Sequence, residues 1–254
     1  MSTAQRDVVE PFRWCEVGEI RWLAADLGHA QAAFSGRTGG VSKGPYNSLN
    51  LGMPTDDEPT LVRQNRRLLA EALGRDLAGL AVGRQVHGTA IEVRDARPAT
   101  DASLAEADAQ LALSEEATPL VLVADCVPLA LAGAGAVAMV HCGWRGLAGG
   151  IVERAVATLS ERAPSEPAAM RAAIGPGIGS CCYEVGGEVA EVFASSGPTL
   201  DLPAIVRTRL RQAGLPTTAI VTSGLCTSCN RGLFFSHRRD RGVTGRQAGL
   251  AWLR

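Results

Sequence analysis

Residues 119–142 read PLVLVADCVPLALAGAGAVAMVHC, an apolar run long enough to raise the question of a membrane span. Asp125, Pro128 and several glycines cut it into short pieces at 119–124, 128–132 and 136–141. Short apolar pieces bounded by turn residues mark strands buried on both faces, whereas a spanning helix needs about 18 or more consecutive apolar residues. The stretch therefore predicts three buried strands and places the chain in the α/β (α+β) class.

Outward from this stretch, further strands are expected at 31–35, 80–86, 90–94, 171–175, 218–222, 232–236 and 247–253. Helices are expected at Glu58–Leu73, Leu147–Arg162, Gly187–Ala194 and Ala204–Ala213. Leu61, Leu68, Leu69 and Leu73 recur at helical spacing in the first of these, as do Val152, Val156 and Leu159 in the second. The elements interleave without a strict βαβ rhythm, which predicts a mixed sheet or two packed sheets with helices outside. Residues 163–168 and 198–203 are loop-like but too short for linkers, so the expectation is one layered domain over 1–254. Aromatics are only 4% while Gly numbers 29, so the backbones should pack closely over small side chains.

The formal net charge of −1 provides no general attraction to nucleic acid or anionic lipid. No nucleic-acid or membrane partner is expected, and with a polar N-terminus the expected location is cytoplasmic. Seven cysteines without an export signal read as buried small residues, metal ligands or nucleophiles rather than a disulfide framework.

Four histidines occur. His29 follows a glycine in a loop-like stretch, and His237 lies in the basic cluster SHRRD. His87, in RQVHG, sits where a strand ends, and His141 closes AVAMV and opens HCGWRGLAGG. Cys126 lies at the break in VADCVP. Two imidazoles and a thiolate at strand ends suit Zn²⁺ with an open fourth position, and Asp108 and Asp125 are candidates to orient the imidazoles. Spacing alone leaves the alternative open: a buried cysteine, a core histidine and a loop histidine with no common role. Cys226 and Cys229 form a rival CxxC, which would need Cys181 or Cys182 to complete a four-ligand zinc.

The strings FSGRTGGVSKGPYNSLNLG (34–52), QVHG (85–88), VADCVPLAL (123–131), VHCGWRGLAGGIV (140–152), AAIGPGIGSCCYEVGGEV (172–189) and FFSHRRDRGVTGRQAGLAWL (234–253) resemble the YfiH-type family. That family also carries the names purine nucleoside phosphorylase, multicopper polyphenol oxidoreductase (laccase-like) and peptidoglycan editing factor. The resemblance implies a layered mixed-sheet fold similar to toxin deamidases and cysteine hydrolases. It also implies a metal site of His87, Cys126 and His141. Two positions depart from the common pattern: Cys142 stands where relatives carry Ala, and Gly177 where they often carry Cys.

The oxidase name conflicts with the ligand supply. A type 1 copper plus a trinuclear cluster needs roughly ten imidazoles, and this chain has four. One copper could be held, with Met139 on the same strand face as His141. Zinc is the expected cofactor and copper the second candidate.

The expected function is a zinc-dependent purine nucleoside enzyme, a phosphorylase of adenosine, inosine, guanosine and methylthioadenosine with adenosine deaminase activity. Its partners are then a purine nucleoside and phosphate, with the oligomeric state open. Cys126, His141 and Arg145 are the catalytic candidates, and Arg37, Asn50, Arg145, His237 and Arg238 the substrate-binding ones. The competing readings are a Cys126–His141 amidase that edits peptidoglycan precursors by removing a wrong amino acid from UDP-MurNAc, and a copper-dependent polyphenol oxidoreductase. A non-catalytic binding module is the third.

Overall fold

The computed structural model describes residues 11–96 and 104–254. Strands β1 (Phe12–Val17), β2 (Ile20–Asp26), β3 (Ala30–Ser35), β4 (Leu80–Val82), β7 (Thr118–Val123) and β12 (Gln247–Leu253) form one sheet, in the order β1-β2-β3-β12-β7-β4. Strands β5 (Ile91–Arg94), β6 (Ala109–Ala112), β8 (Val127–Gly133), β9 (Ala136–Cys142), β10 (Arg171–Ile174) and β11 (Ile220–Thr222) form the second, in the order β11-β10-β8-β9-β6-β5. Both sheets are mixed: β4 runs parallel to β7, β5 to β6, and β10 to β11.

Alternation along the strands assigns each face. On β9, Ala136, Ala138, Val140 and Cys142 point to the helices, while Val137 and Met139 point to the other sheet. On β7, Val121 and Val123 face the second sheet, and Leu120 packs on the opposite side. Between the sheets lies a core that includes Phe34, Ala130, Val137, Met139 and Ala251. Helix α1 (Pro59–Ala72) covers the outer face of the first sheet through Leu69. Helices α2 (Trp144–Ala148), α3 (Ile151–Arg162), α4 (Gly187–Val192) and α5 (Leu202–Gln212) lie against the second, with Leu147, Leu159, Val189 and Val206 in its core. The molecule is thus layered helix, sheet, sheet, helix, and none of its described helices is long and apolar enough to cross a membrane.

The structure corrects several expected elements. Residues 232–236 form no strand: a turn ends at Leu233 and irregular backbone follows, with Leu233 and Phe234 donating to Asn230 O instead of to a neighbouring strand. The helix expected from Leu147 starts at Trp144 and is interrupted after Ala148, where Gly150 adopts φ +86°. Strand 80–86 ends at Val82. Strands β1, β2 and β6 escaped the sequence reading: the first two carry charged residues along an edge hairpin, and Ala-rich β6 has weak β propensity.

Candidate metal centre

Three connections that change sheets meet at one end of the sandwich. Residues 83–90 lead from β4 to β5, residues 124–126 from β7 to β8, and residues 223–246 from β11 to β12. The first carries His87 and the second Cys126. His141, on β9, lies opposite Pro128 in the same ladder. Crossing from sheet to sheet demands sharp backbone turns, and both His87 (φ +60°) and Asp125 (φ +89°) sit in the left-handed region, uncommon for residues with a side chain.

The structure brings His87, Cys126 and His141 together, with one ligand atom from each within 4.8 Å of the others. Cys126 Sγ lies 3.8 Å from His87 Nε2, and the two imidazoles stand edge to face with centroids 4.9 Å apart. A tetrahedral zinc with Zn–S of about 2.3 Å and Zn–N of about 2.0 Å sets its S and N ligands about 3.6 Å apart, so the trio fits that ion. His87 is exposed, Cys126 half-buried and His141 buried, so the centre faces outward on the His87 side. Gly143 lets them meet: a Cβ there would stand 2.8 Å from His87 Cδ2 and 3.2 Å from Cys126 Sγ.

Asp108 organises the centre. Its buried carboxylate accepts the backbone N–H groups of Val86 (3.0 Å), His87 (2.9 Å) and Gly88 (2.8 Å). It also accepts His141 Nδ1–H at 2.8 Å, which fixes the tautomer and leaves Nε2 free to bind a metal. Asp125 does not orient an imidazole. It accepts Thr227 Oγ1–H (2.7 Å) and the Arg238 N–H (2.6 Å), and so ties the third connection to the second.

Electrostatics couple the trio. Burial raises the Cys126 thiol, but the charge and hydrogen bonds of His141, with His87 adding to them, bring it down to about 6. Burial lowers His141, but Cys126 and Asp108 outweigh it and raise the imidazole to about 9. Without metal this is a thiolate–imidazolium pair. Cys142 points to the opposite face of β9, and burial raises its thiol well above the ordinary value. Met139 packs its sulfur towards Gly249 in the core between the sheets.

The other expected residues divide by position. Arg238 stacks its guanidinium over Tyr183 at 5.2 Å, and exposed Arg145 stacks over Trp144 at 4.3 Å. Both cations act on Tyr183, whose hydroxyl is raised by burial and then by Cys126. His237 is exposed beside Gly242. Arg37 donates Nε–H and Nη2–H to Asn47 O (3.0 and 2.7 Å) and stacks on Phe235 at 4.3 Å. Asn50 is fully buried, donating to Thr55 and Asp57 and accepting from Gly52 and Arg246. Both side chains are engaged in holding the loop after β3.

Arg246 was not singled out in the sequence. It is half-buried just before β12, and burial lowers its pKa against the opposing charges of Cys126 and Asp125. Its only signal was a cation in TGR immediately ahead of a strand. A groove of about 620 Å³ lies elsewhere, lined by Asp26, Arg171 and Pro216, and holds none of the trio.

Known proteins share this chain's sequence pattern and fold. Residues 31–254 match the family described as multi-copper polyphenol oxidoreductase laccase. The chain is 38% identical to purine nucleoside phosphorylase YlmD of Geobacillus stearothermophilus, over 90% of this chain and 92% of the relative. It is 35% identical to purine nucleoside phosphorylase PA4543 of Pseudomonas aeruginosa, over 91% and 98%. The crystal structure of the Geobacillus protein superposes with a TM-score of 0.87, covering 96% of this chain and 100% of that one. That of a hypothetical protein YfiH from Bacillus licheniformis gives the same TM-score at 32% identity, covering 97% and 100%. The laccase description does not match the ligands in place: two of the chain's four imidazoles reach the centre, while His29 and His237 lie outside it.

Proposed function

The chain belongs to the YfiH-type family of enzymes, and from that premise we propose that it is a zinc-dependent purine nucleoside enzyme whose main reaction is phosphorolysis. The observation that carries this reading is a three-ligand His–Cys–His centre, exposed on one side, with the charge of Arg246 acting on its cysteine. When bound there, zinc supplies a Lewis acid with one open position for an anionic oxygen. Arg238, stacked on Tyr183, together with Arg145 and Arg246, whose charges act on Tyr183 and Cys126, would supply the positive charge that holds inorganic phosphate by charge-assisted hydrogen bonds.

In phosphorolysis a phosphate oxygen bonds to the anomeric carbon as the glycosidic C–N bond breaks. The electron pair leaves with the purine, which takes up a proton. Fixing phosphate against the sugar removes much of the entropic part of that barrier. Tyr183 keeps its proton at neutral pH and donates a hydrogen bond to the departing base. Arg238, on the third connection, stacks on that ring and is the cation expected beside the base. Adenosine, inosine, guanosine and methylthioadenosine share the bond that breaks and are the substrates expected. Adenosine deamination, in which water oxygen adds at C6 and ammonia leaves, is the second reaction assigned to the centre. The curated relatives named as purine nucleoside phosphorylases support the substrate class.

One observation favours a second reading. The Cys126–His141 thiolate–imidazolium pair of the metal-free chain is the arrangement a cysteine amidase uses. The two readings need the same sulfur in different states. Zinc-replete wild type should release adenine, and inosine, from adenosine plus phosphate, and Cys126→Ala should lose both its zinc at this centre and at least about 100-fold in turnover. Turnover retained by Cys126→Ala would defeat the nucleoside reading. Amide hydrolysis that increases after chelation would establish the other.

A further inference from the structure

Four cysteines outside this centre converge on a single point. The thiols of Cys181, Cys182, Cys226 and Cys229 all lie within 4.8 Å of one another. Cys229 Sγ is 3.5 Å from Cys181 Sγ and 3.4 Å from Cys182 Sγ, and all four cysteines are free. A disulfide needs sulfurs about 2.05 Å apart, so none of these contacts is one. Four thiolates around a zinc at about 2.3 Å occupy the corners of a tetrahedron with edges of about 3.8 Å. The cluster has nearly that size before any ion is added.

The backbone around the cluster is built to the same end. Two turns supply the thiols, one after β10 and one after β11. In the first, the N–H groups of Cys182 and Tyr183 donate to Gly179 O; in the second, the Asn230 N–H and side-chain amide donate to Cys226 O. Gly177 and Cys226 form a bridge that locks the turns together, with Gly177 N–H donating to Leu225 O and Thr227 N–H to Gly177 O. The Gly179 N–H donates to Cys226 Sγ at 3.3 Å, a bond that favours the thiolate. Cys182 and Cys226 pack against the core of the second sheet, and Cys181 and Cys229 are exposed, leaving a path for an ion to enter.

We propose that Cys181, Cys182, Cys226 and Cys229 bind a second zinc ion in a closed tetrathiolate site. With all four positions filled by protein it has no place for substrate, and its role is structural. The turns it joins form one wall of the His–Cys–His centre. Tyr183 follows Cys182 directly, Thr227 between the paired cysteines holds Asp125, and Arg239 donates to Thr227 O and Ser228 O. The ion fixes the position of Tyr183 relative to Cys126 and Arg238.

The test uses full-length protein purified anaerobically under reducing conditions with zinc. Wild type should hold two zinc ions per chain, Cys126→Ala one, and Cys181→Ser/Cys229→Ser one. Cobalt-loaded Cys126→Ala should show intense near-ultraviolet thiolate-to-cobalt charge transfer and tetrahedral visible bands. Its cluster thiols should resist a thiol reagent until a chelator is added. A zinc-free Cys126→Ala with freely reactive or disulfide-bonded cluster cysteines would overturn the proposal, and so would iron in place of zinc. These readouts on Cys126→Ala decide the matter even if the serine variant fails to fold. None of them depends on nucleoside turnover.

Discussion

Asp108 reaches both histidines of the candidate metal centre, one through the backbone and one through the ring. Burial raises its carboxyl, but His141 and the amides of the 86–88 turn outweigh it and hold it below its ordinary value. Substitution Asp108→Asn keeps the size but replaces one acceptor oxygen by a donor facing N–H groups. Metal affinity should fall about 10–100-fold, as for other groups that orient metal ligands. Stability should drop by about 1–3 kcal/mol from the unsatisfied buried amides. Chelator competition and urea unfolding measure the two effects, and an affinity equal to wild type would contradict an orienting role for Asp108. Gly143→Ala should also weaken metal binding, at little cost to stability in the absence of metal, because its new methyl meets His87 and Cys126 rather than the core. Equal metal affinity in that variant would show that His87 can move aside freely.

At the scale of elements, the connection from β11 to β12 carries most of the cations at the centre. Its shape depends on Arg239, which donates to Phe234 O, Thr227 O and Ser228 O and pairs with Asp240 through two bonds of 2.8 and 2.7 Å. Burial raises the Asp240 carboxyl, but Arg239, Thr244 and Arg37 bring it below its ordinary value of 3.8. A carboxyl lowered in the folded state stabilises the fold above its unfolded pKa, and that contribution disappears as pH falls through the folded value. Asp240→Asn should therefore cost about 1 kcal/mol at pH 7, after allowance for solvent screening, and progressively less as the pH falls below the ordinary value of 3.8. Unfolding free energies of both proteins measured from pH 7 down through the acid range would check this; a difference independent of pH would contradict it.

For the molecule as a whole, the close approach of the two sheets depends on small side chains. Gly249 of β12 faces the second sheet, and a Cβ there would stand 2.8 Å from Pro128 Cβ and 2.9 Å from Met139 Sδ. Gly249→Val should force the sheets apart and destabilise the fold by about 1–3 kcal/mol. None of the three ligand side chains is among the atoms that this Cβ would meet, so zinc per folded chain should stay unchanged. Thermal unfolding beside metal analysis would separate the effects, and a variant as stable as wild type would show that the sheets can separate at no cost.

Sequence by itself determined the buried strands of residues 119–142 and the main helices, and it singled out the candidate trio only through the family resemblance, since spacing left the three residues unconnected. Val, Leu and Ala runs cut by Asp125 and Pro128 can be little else, and ordered motifs marked His87, Cys126 and His141. It also flagged Asp108, though Asp125 looked equally suitable from the letters alone. The β1–β2 hairpin was lost because charged residues interrupt its apolar pattern, and 232–236 looked like a strand because Phe234 and Phe235 are buried in irregular backbone after a turn. Only the tertiary structure decided that Arg246 comes within electrostatic reach of Cys126 and that four cysteines from two distant turns share one point. The reason is physical. A strand or helix is written in neighbouring residues, whereas both of these meetings arise where the chain changes sheets, and the register and packing of the two sheets set where such crossings land.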